Sequence, residues 1–219
     1  MKYLGQPQSG SRADITAARN RFGQYYRTKS VPVQPASPKQ TAIRQAFAEL
    51  SRTWRTLTNA QRESWSSLGD QLKKKDSLGQ VYSLTGLQIY QSFNMIRKLI
   101  SLDPLTTAPV LGSTWIPVLD HVSAEPGEMN VTLTQAVQSQ KALLVYASPP
   151  LSAGRQFNKI YRFMGYIEEN EDNLDFTTSY IEAFGAPRVG QVVWIRMLPI
   201  DYTGQVGTAD TVRVIVSNQ

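Results

Sequence analysis

The sequence predicts an α+β protein of more than one domain, and three observations lead to that class. Residues 1–37 are polar, basic and interrupted by proline and glycine, which predicts an extended arm. Residues 38–102 carry apolar side chains at helical spacing, which predicts a small three-helix module. From residue 116 to 219 short alternating segments recur and predict a seven-stranded β-sandwich. Residues 103–115, which contain proline and threonine, are predicted to link the two.

The two halves of the chain differ sharply in charge. Residues 1–100 contain 16 Lys and Arg against 5 Asp and Glu, whereas residues 101–219 contain 7 against 12. This division predicts that the basic half faces something negative, which could be nucleic acid, an anionic membrane face or an acidic protein surface. Cysteine is absent, which excludes disulfides, thiolate nucleophiles and zinc–sulfur sites. The apolar runs are too short to span a bilayer, so no membrane association is expected.

The predicted arm interleaves cations with aromatic side chains. Such a pattern is typical of segments that bind phosphates and stack on bases, and equally of segments that anchor in grooves on another protein. A solvated, disordered tail is the third interpretation. We predict partner binding by Arg19, Arg21, Phe22, Tyr25, Tyr26, Arg27 and Lys29.

Capping signals and apolar spacing place the three helices. Ser37 followed by Pro38 is typical of a helix start. Capping boxes at Thr58 and Thr85 predict the starts of the second and third helices, and Gly69 is expected to end the second. Large apolar side chains on the facing sides are predicted to form the core of the module: Phe47, Leu50, Trp54, Trp65, Tyr90 and Phe93.

Two segments of the basic half resemble proteins encoded by tailed bacteriophages. The first reads Arg19-Asn20-Arg21-Phe22-Gly23-Gln24-Tyr25, and the second has the pattern W-x-x-L-T-x-x-Q-R-x-x-W from Trp54 to Trp65, followed by the turn Leu84-Thr85-Gly86. The resemblance covers most of the basic half and is to uncharacterised virion-associated proteins. It implies a structural role in the virion, as a capsid decoration (cement) protein or a head–tail accessory protein. The implied partners are capsid or tail subunits, in a homo-oligomer or a large symmetric assembly.

Seven short segments of the acidic half alternate apolar and polar residues, as antiparallel strands with one wet face do. Their spacing predicts an immunoglobulin-like or fibronectin type III-like sandwich. The segment Gly190–Met197 with the turn Asp201–Gly207 resembles the end of a fibronectin type III domain, although the usual early core tryptophan of that family is missing. The predicted strands are Trp115–Ser123, Met129–Gln135, Lys141–Ala147, Lys159–Ile167, Phe176–Ala183, Gln191–Pro199 and Thr211–Val216.

No pattern in the sequence predicts an active site, so a protein without catalysis or cofactor is expected. His121 is the single histidine, and neither a G-x-S-x-G elbow nor a glycine-rich phosphate loop is present. An acidic run after residue 167 could offer oxygen ligands to Ca²⁺, but a solvated hairpin tip explains it better. Its candidate ligands are Glu168, Glu171, Asp172 and Asp175.

These observations predict a non-enzymatic structural protein of the virion that docks through its basic arm and helical module. The alternative is a non-sequence-specific nucleic-acid-binding protein of the cytoplasm, because the same cations could meet phosphates. Sequence-specific reading of DNA by the short second helix is disfavoured, since few of its side chains could read bases. A third interpretation is a host-surface or glycan-binding module that uses Tyr146, Tyr161 or Trp194 as stacking platforms.

Overall fold

The computed structural model describes residues 9–31, 35–75, 79–112 and 115–218. The chain divides into two compact units, residues 1–43 and residues 44–219. The division falls inside the first helix, so the domain boundaries drawn from the sequence stay a prediction. Among the described residues, no helix is both long enough and apolar enough to cross a membrane.

The first unit contains a three-stranded antiparallel sheet in which consecutive strands are neighbours. Its strands are β1 (Gly10–Arg12), β2 (Ile15–Asn20) and β3 (Gly23–Thr28). The extended arm predicted for these residues is therefore wrong between residues 10 and 28. The polar composition of these residues did not indicate strands. A β-ladder forms through backbone hydrogen bonds, so its residues need not be apolar. Residues 1–8 and 32–34 of the predicted arm lie outside the described residues.

Three of the helices follow: α1 (Pro38–Thr56), α2 (Asn59–Gln71) and α3 (Gly86–Leu99). The capping boxes at Thr58 and Thr85 are confirmed, since each threonine accepts from the amide three residues on. Two short strands, β4 (Lys74–Lys75) and β5 (Val81–Tyr82), pair between α2 and α3.

Gly69 does not end α2, contrary to the sequence prediction. The helix continues to Gln71, and Gly69 is buried inside it. A Cβ at this position would collide with the backbone carbonyl of Leu84. The glycine is therefore needed for a close backbone approach within the helical region.

The helical core forms only where the three helices meet. Leu50, Trp65 and Tyr90 are fully buried, and the Trp65 and Tyr90 rings meet edge to face with centroids 5.4 Å apart. Phe47, predicted to belong to this core, is 47% exposed, and Ile43 is 60% exposed. An apolar stripe marks one face of a helix but does not show how far along that face a neighbour extends.

Two antiparallel sheets and a fourth helix make up the rest of the chain. One sheet has the strand order β10-β7-β6 and the other β12-β11-β8-β9. The elements are β6 (Leu119–Glu125), β7 (Glu128–Leu133), β8 (Lys141–Ala147), β9 (Arg162–Ile167), β10 (Asn173–Asp175), α4 (Thr177–Phe184), β11 (Val192–Asp201) and β12 (Asp210–Ile215).

The strand predicted at Phe176–Ala183 is wrong, because helix α4 occupies these residues. Phe176, Tyr180 and Phe184 recur every four residues, and their rings contact one another in sequence. The carboxylate of Asp175 accepts a hydrogen bond of 2.9 Å from the Thr177 amide and so satisfies one free N–H of the first turn. Aromatic and β-branched composition suggested a strand, whereas the spacing and this cap favour a helix.

The main core lies between the inner faces of the two sheets. Met129, Val131 and Leu133 of β7 pack with alternate residues of β8 and β11, and α4 closes the same cluster. The outer face of the four-stranded sheet packs against the end of α3 through Leu144, Ile200 and Ile100. Strand β8 is therefore covered on both faces, which explains its continuous apolar run.

Residues of the predicted linker form hydrogen bonds with the helices. Asn94 exchanges two hydrogen bonds with the backbone of Leu105, and Trp65 Nε1 donates to the Thr106 carbonyl at 3.0 Å. The Gln205 side chain then makes two hydrogen bonds to the backbone of Gly112. Proline and threonine content suggested a spacer, but these residues connect the helices to the sheets through contacts made along their length.

Candidate functional site

The predicted partner-binding residues come together on one hairpin of the sheet β1-β2-β3, here called the N-terminal sheet. Two of them, Arg21 and Phe22, form the turn between β2 and β3, where the Asn20 carboxamide accepts from the Phe22 amide at 2.9 Å. Gly23 closes the turn with a φ of +114°, a conformation that favours glycine. The others lie on the strands or directly after them: Arg19, Tyr25, Tyr26, Arg27 and Lys29.

The strand register assigns these side chains to two faces. Ala17 lies opposite Tyr26, and Ala18 opposite Tyr25, so the two tyrosines belong to opposite faces. Arg12 lies opposite Ile15 and shares the Tyr26 face. The aromatic residues were predicted from the sequence to act as one set, whereas the sheet places Tyr25 and Tyr26 on different faces.

A groove of about 820 Å³ runs along the Tyr26 face. Its lining includes Arg12, Ile15, Ala17 and Tyr26. Arg12 and Ile15 are functional candidates that sequence reasoning missed. The alternation Ile15-Thr16-Ala17-Ala18-Arg19 is the signal that could have found them, because it puts Ile15, Ala17 and Arg19 on one face.

The N-terminal sheet leaves its apolar side chains in water. Phe22 is 68% exposed and Ile15 is 54% exposed. Within residues 9–31 the only buried side chain is that of Gln24. Small sheets are stable when a hydrophobic face is covered, so this sheet lacks the burial that stabilises others.

The charge of the N-terminal sheet is strongly positive. Residues 9–31 contain a single acid, Asp14, against the five cations Arg12, Arg19, Arg21, Arg27 and Lys29. The Arg21 guanidinium lies 4.6 Å from the centre of the Phe22 ring, so cation and aromatic group are presented together at the tip of the hairpin. Such a tip suits an apolar recess that has carboxylates at its rim.

The acidic residues considered as metal ligands do not form a cluster. In the part of the chain that the structure describes, no three acidic or histidine side chains are placed so that they could hold a metal ion. The backbone carbonyls of Glu171 and Asp172 pair with Val137 and Leu133, so this segment is bound into the sandwich. Hydrogen bonds from Thr177 lower the pKa of Asp175, which acts at the start of α4. Glu168 is exposed at the end of β9.

The three aromatic residues considered as a glycan platform have different surroundings. Tyr146 packs edge to face on Phe163, with ring centroids 5.5 Å apart, beside the cluster under α3. Burial raises the pKa of its hydroxyl. Trp194 is half-buried on the same sheet face, and Tyr161 lies 5.9 Å from the Arg196 guanidinium. These three aromatic residues therefore do not form one flat stacking surface. The single histidine, His121, is exposed on the other sheet.

A second concavity, of about 400 Å³, lies where α3 and its following segment meet the sheets. Its lining includes Arg97, Lys141 and Asp201. The Arg97 guanidinium already donates to the backbone carbonyls of Asp103 and Tyr202, and burial lowers its pKa. Asp201 accepts from the Thr203 and Gln205 amides. These polar groups already join α3 and the segment that follows it to the sheets, so they are not free to bind a ligand. The N-terminal sheet therefore remains the stronger candidate for binding.

Comparisons with known proteins add little to this geometry. No protein-family model matches the chain, and no curated protein matches it. The crystal structure of a beta-1,2-glucanase from Parabacteroides distasonis aligns with 52% of this chain, at 14% sequence identity and a TM-score of 0.33. This chain spans 14% of that protein's length. At this TM-score the likeness supports no statement about fold or activity.

Proposed function

We propose that this chain is a non-enzymatic structural protein that docks onto another protein through its N-terminal sheet. The observation that carries the proposal is a sheet with exposed apolar side chains, five cations and no buried apolar side chain among residues 9–31. Exposed aromatic residues beside arginines are the groups that dominate the energetics of protein interfaces. The partner it fits has an apolar groove with acidic residues at its rim.

The virion role is the more specific form of the proposal. It rests on the resemblance of Arg19–Tyr25 and Trp54–Trp65 to virion-associated proteins of tailed bacteriophages. In a capsid or tail, many copies at high local concentration offset the entropy that each ordered segment loses. Mass spectrometry of particles purified from the organism that encodes the chain tests it. Absence of the chain from those particles would overturn the virion role but not the docking function.

A fibronectin type III-like sandwich is the finer fold assignment within this proposal. Its support is the division of strands β6 to β12 into sheets of three and four, in which β9 pairs with β8. In an immunoglobulin constant domain the fourth strand would pair with the fifth instead. Sandwiches of this class often space or display binding surfaces, although fold alone does not decide function.

Hydrogen exchange on the full chain tests the docking function. In the isolated chain at low concentration, we expect the amides of β2 and β3 to exchange far faster than those of β8 and β11, because no apolar layer protects them. Slow exchange from Arg19 to Lys29 under these conditions would show that the sheet is stable without a partner. That result would overturn the proposal.

Substitutions identify the residues that dock. In cosedimentation with purified particles, Phe22→Ala is expected to weaken binding about tenfold or more, as loss of an interface anchor does. Val110→Ala is the matched control, since Val110 is 92% exposed but lies outside the N-terminal sheet. Equal effects of the two substitutions would contradict docking through this sheet.

Salt dependence separates protein docking from nucleic-acid binding. If all five cations of residues 9–31 met DNA phosphates, the logarithm of affinity would fall with the logarithm of salt at a slope of about −4.5. We expect instead weak binding to random-sequence DNA in a filter-binding titration. Tight binding with that slope would favour the nucleic-acid function over the proposed one.

A further inference from the structure

A second charged surface lies in the acidic half, on the four-stranded sheet. Because Val193, Ile195 and Met197 point into the core, Arg196 points to the outer face of this sheet. Arg213 lies opposite Trp194 on the neighbouring strand and shares that outer face. Arg196 is exposed, so α3 does not cover this part of the sheet.

The loop between β8 and β9 adds two more cations to this surface. Arg155 lies 5.8 Å and Lys159 lies 5.7 Å from the centre of the Phe157 ring, which is 57% exposed. The loop reaches the sheet through Arg213, which donates to the Ala153 carbonyl at 2.8 Å. We call Arg155, Lys159, Arg196 and Arg213 the cationic face. Four of the seven cations of residues 101–219 thus lie on the outer face of this sheet or on the loop that contacts it.

Among the residues that the structure describes, no carboxylate forms a salt bridge with the cationic face. The one salt bridge between described residues joins Lys98 to Glu49, both in the helical region. Arg155, Lys159 and Arg196 are exposed and can meet an acidic surface from elsewhere, whereas Arg213 is half-buried and holds the loop to the sheet. Phe157, between two of them, adds an apolar contact that a desolvated interface could use.

An acidic surface of matching character lies on the other sheet of the same sandwich. Met129 and Val131 point into the core, so Glu128 belongs to the outer face of the three-stranded sheet. Glu125 lies directly opposite Glu128, and Asp175 lies opposite Asn130 on the same face. Like charges directly opposite each other are destabilising, so a cation brought to this pair would relieve repulsion. We call Glu125, Glu128 and Asp175 the acidic face.

We propose that the cationic face of one copy docks on the acidic face of a second copy. The two faces belong to different sheets of one sandwich, so the contact is heterologous. A pair of bound copies keeps one cationic face on one copy and one acidic face on the other unoccupied. Such a contact builds a ring or an open row of copies. This inference concerns a surface separate from the N-terminal sheet and goes beyond the docking function proposed for that sheet.

Charge reversal on each face tests the proposal in the full chain. One variant carries Arg155→Glu and Arg196→Glu, and the other carries Glu125→Lys and Glu128→Lys. Sedimentation equilibrium at low salt is expected to show self-association of the natural chain that weakens as salt is added. Each variant alone should associate at least about tenfold more weakly, because the attraction between opposite charges across the contact is then cancelled or reversed.

An equimolar mixture of the two variants is the decisive measurement. The first variant keeps the natural acidic face and the second keeps the natural cationic face, so these two faces can dock on each other and mixing should restore association. A matched control carries Lys74→Glu and Lys75→Glu in the exposed strand β4. It lowers the net charge as much as Arg155→Glu with Arg196→Glu does, and it should associate like the natural chain. Restoration also shows that both variants are folded.

Three results would overturn the proposal. The natural chain could remain monomeric at low salt, the variants could associate as strongly as the natural chain, or the mixture could fail to restore association. Binding of a single-stranded oligonucleotide that is lost with Arg155→Glu and Arg196→Glu, by a chain that stays monomeric, would assign the cationic face to nucleic acid instead. Phe22→Ala should leave self-association unchanged, so failure here is distinct from failure of docking through the N-terminal sheet.

Discussion

The N-terminal sheet and the C-terminal sandwich are both antiparallel β-structure, yet they differ in what their strands bury. In β2 and β3 every apolar side chain is at least partly exposed, whereas the two facing sheets share a core of 16 buried residues. Neighbouring strands are hydrogen-bonded to each other in both. The difference shows that a ladder determines local shape, while burial of apolar area provides most of the free energy of folding.

The same comparison separates two uses of an apolar side chain. In the sandwich, Ile195 is fully buried and contributes to stability. In the N-terminal sheet, Ile15 is 54% exposed and its apolar surface is available to a partner. We therefore expect substitutions in the sandwich to change unfolding, and substitutions in the sheet to change binding.

The largest expected effect comes from making the same substitution in both regions. Ile195→Ala should lower the free energy of unfolding by about 2–5 kcal/mol, through lost burial and the cavity left behind. Ile15→Ala should change it by about 0.5 kcal/mol or less, because the side chain is already in water. Urea unfolding of the full chain measures both. Similar losses for the two variants would contradict the contrast between the regions.

A smaller effect is expected at the seam between the helices and the sheets. Gly204 has a φ of +94°, and a Cβ there would lie 2.5 Å from the Phe93 carbonyl oxygen. Gly190 has a φ of +82° with open space around it. Gly190→Ala should cost about 1 kcal/mol from backbone strain. Gly204→Ala should lower the free energy of unfolding by about 1–3 kcal/mol more than Gly190→Ala, because the Gly204 turn and α3 must move apart to make room for the Cβ.

Thermal unfolding of the two glycine variants measures this difference, and hydrogen exchange in α3 locates it. Faster exchange in α3 for Gly204→Ala alone would show that the seam joins the helices to the sandwich. Equal costs for the two variants would show instead that backbone strain accounts for the whole effect.

The smallest expected effect is a pH dependence at the start of α4. The pKa of Asp175 is lowered by its hydrogen bonds from Thr177, so the ionised carboxylate stabilises the folded state at neutral pH. That contribution is lost as pH falls through the lowered pKa. Because Asp175 is exposed, the loss should be about 0.5 kcal/mol or less.

Asp175→Asn tests this assignment when thermal midpoints are compared from neutral to acid pH. The gap in stability between the natural chain and the variant should narrow as the pH falls. Asp120→Asn is the control, since Asp120 is also exposed but lies in β6 and not at the start of α4. A gap that stays constant with pH would show that the charge of Asp175 has no part in the cap.

The elements predicted correctly from the sequence are those that depend on interactions between residues close together in the chain. The capping boxes at Thr58 and Thr85 depend on residues three apart, and the strand predicted at Lys141–Ala147 has the observed bounds. The prediction failed for α4, where strand-like composition outweighed a helical spacing of aromatic residues. It also failed for Gly69, whose role depends on Leu84 in another part of the chain.

The candidate site was found in part. Its cations and aromatic residues were identified from their interleaving, but Arg12 and Ile15 were missed because a sheet was not expected there. The cationic face was missed altogether. Arg155, Arg196 and Arg213 are far apart in the sequence, and only the pairing of β11 with β12 and the return of the loop bring them together.

The sequence by itself determined the charge division, the starts of the first three helices and the alternation of most strands, because each depends on residue type at short spacing. Tertiary structure alone decided which apolar faces are covered and which stay in water. Ile43 and Phe47 show the reason: they belong to the same apolar stripe as the buried Leu50, yet among the described residues they stay exposed. Burial depends on where distant segments return, and that information is not contained in any local pattern.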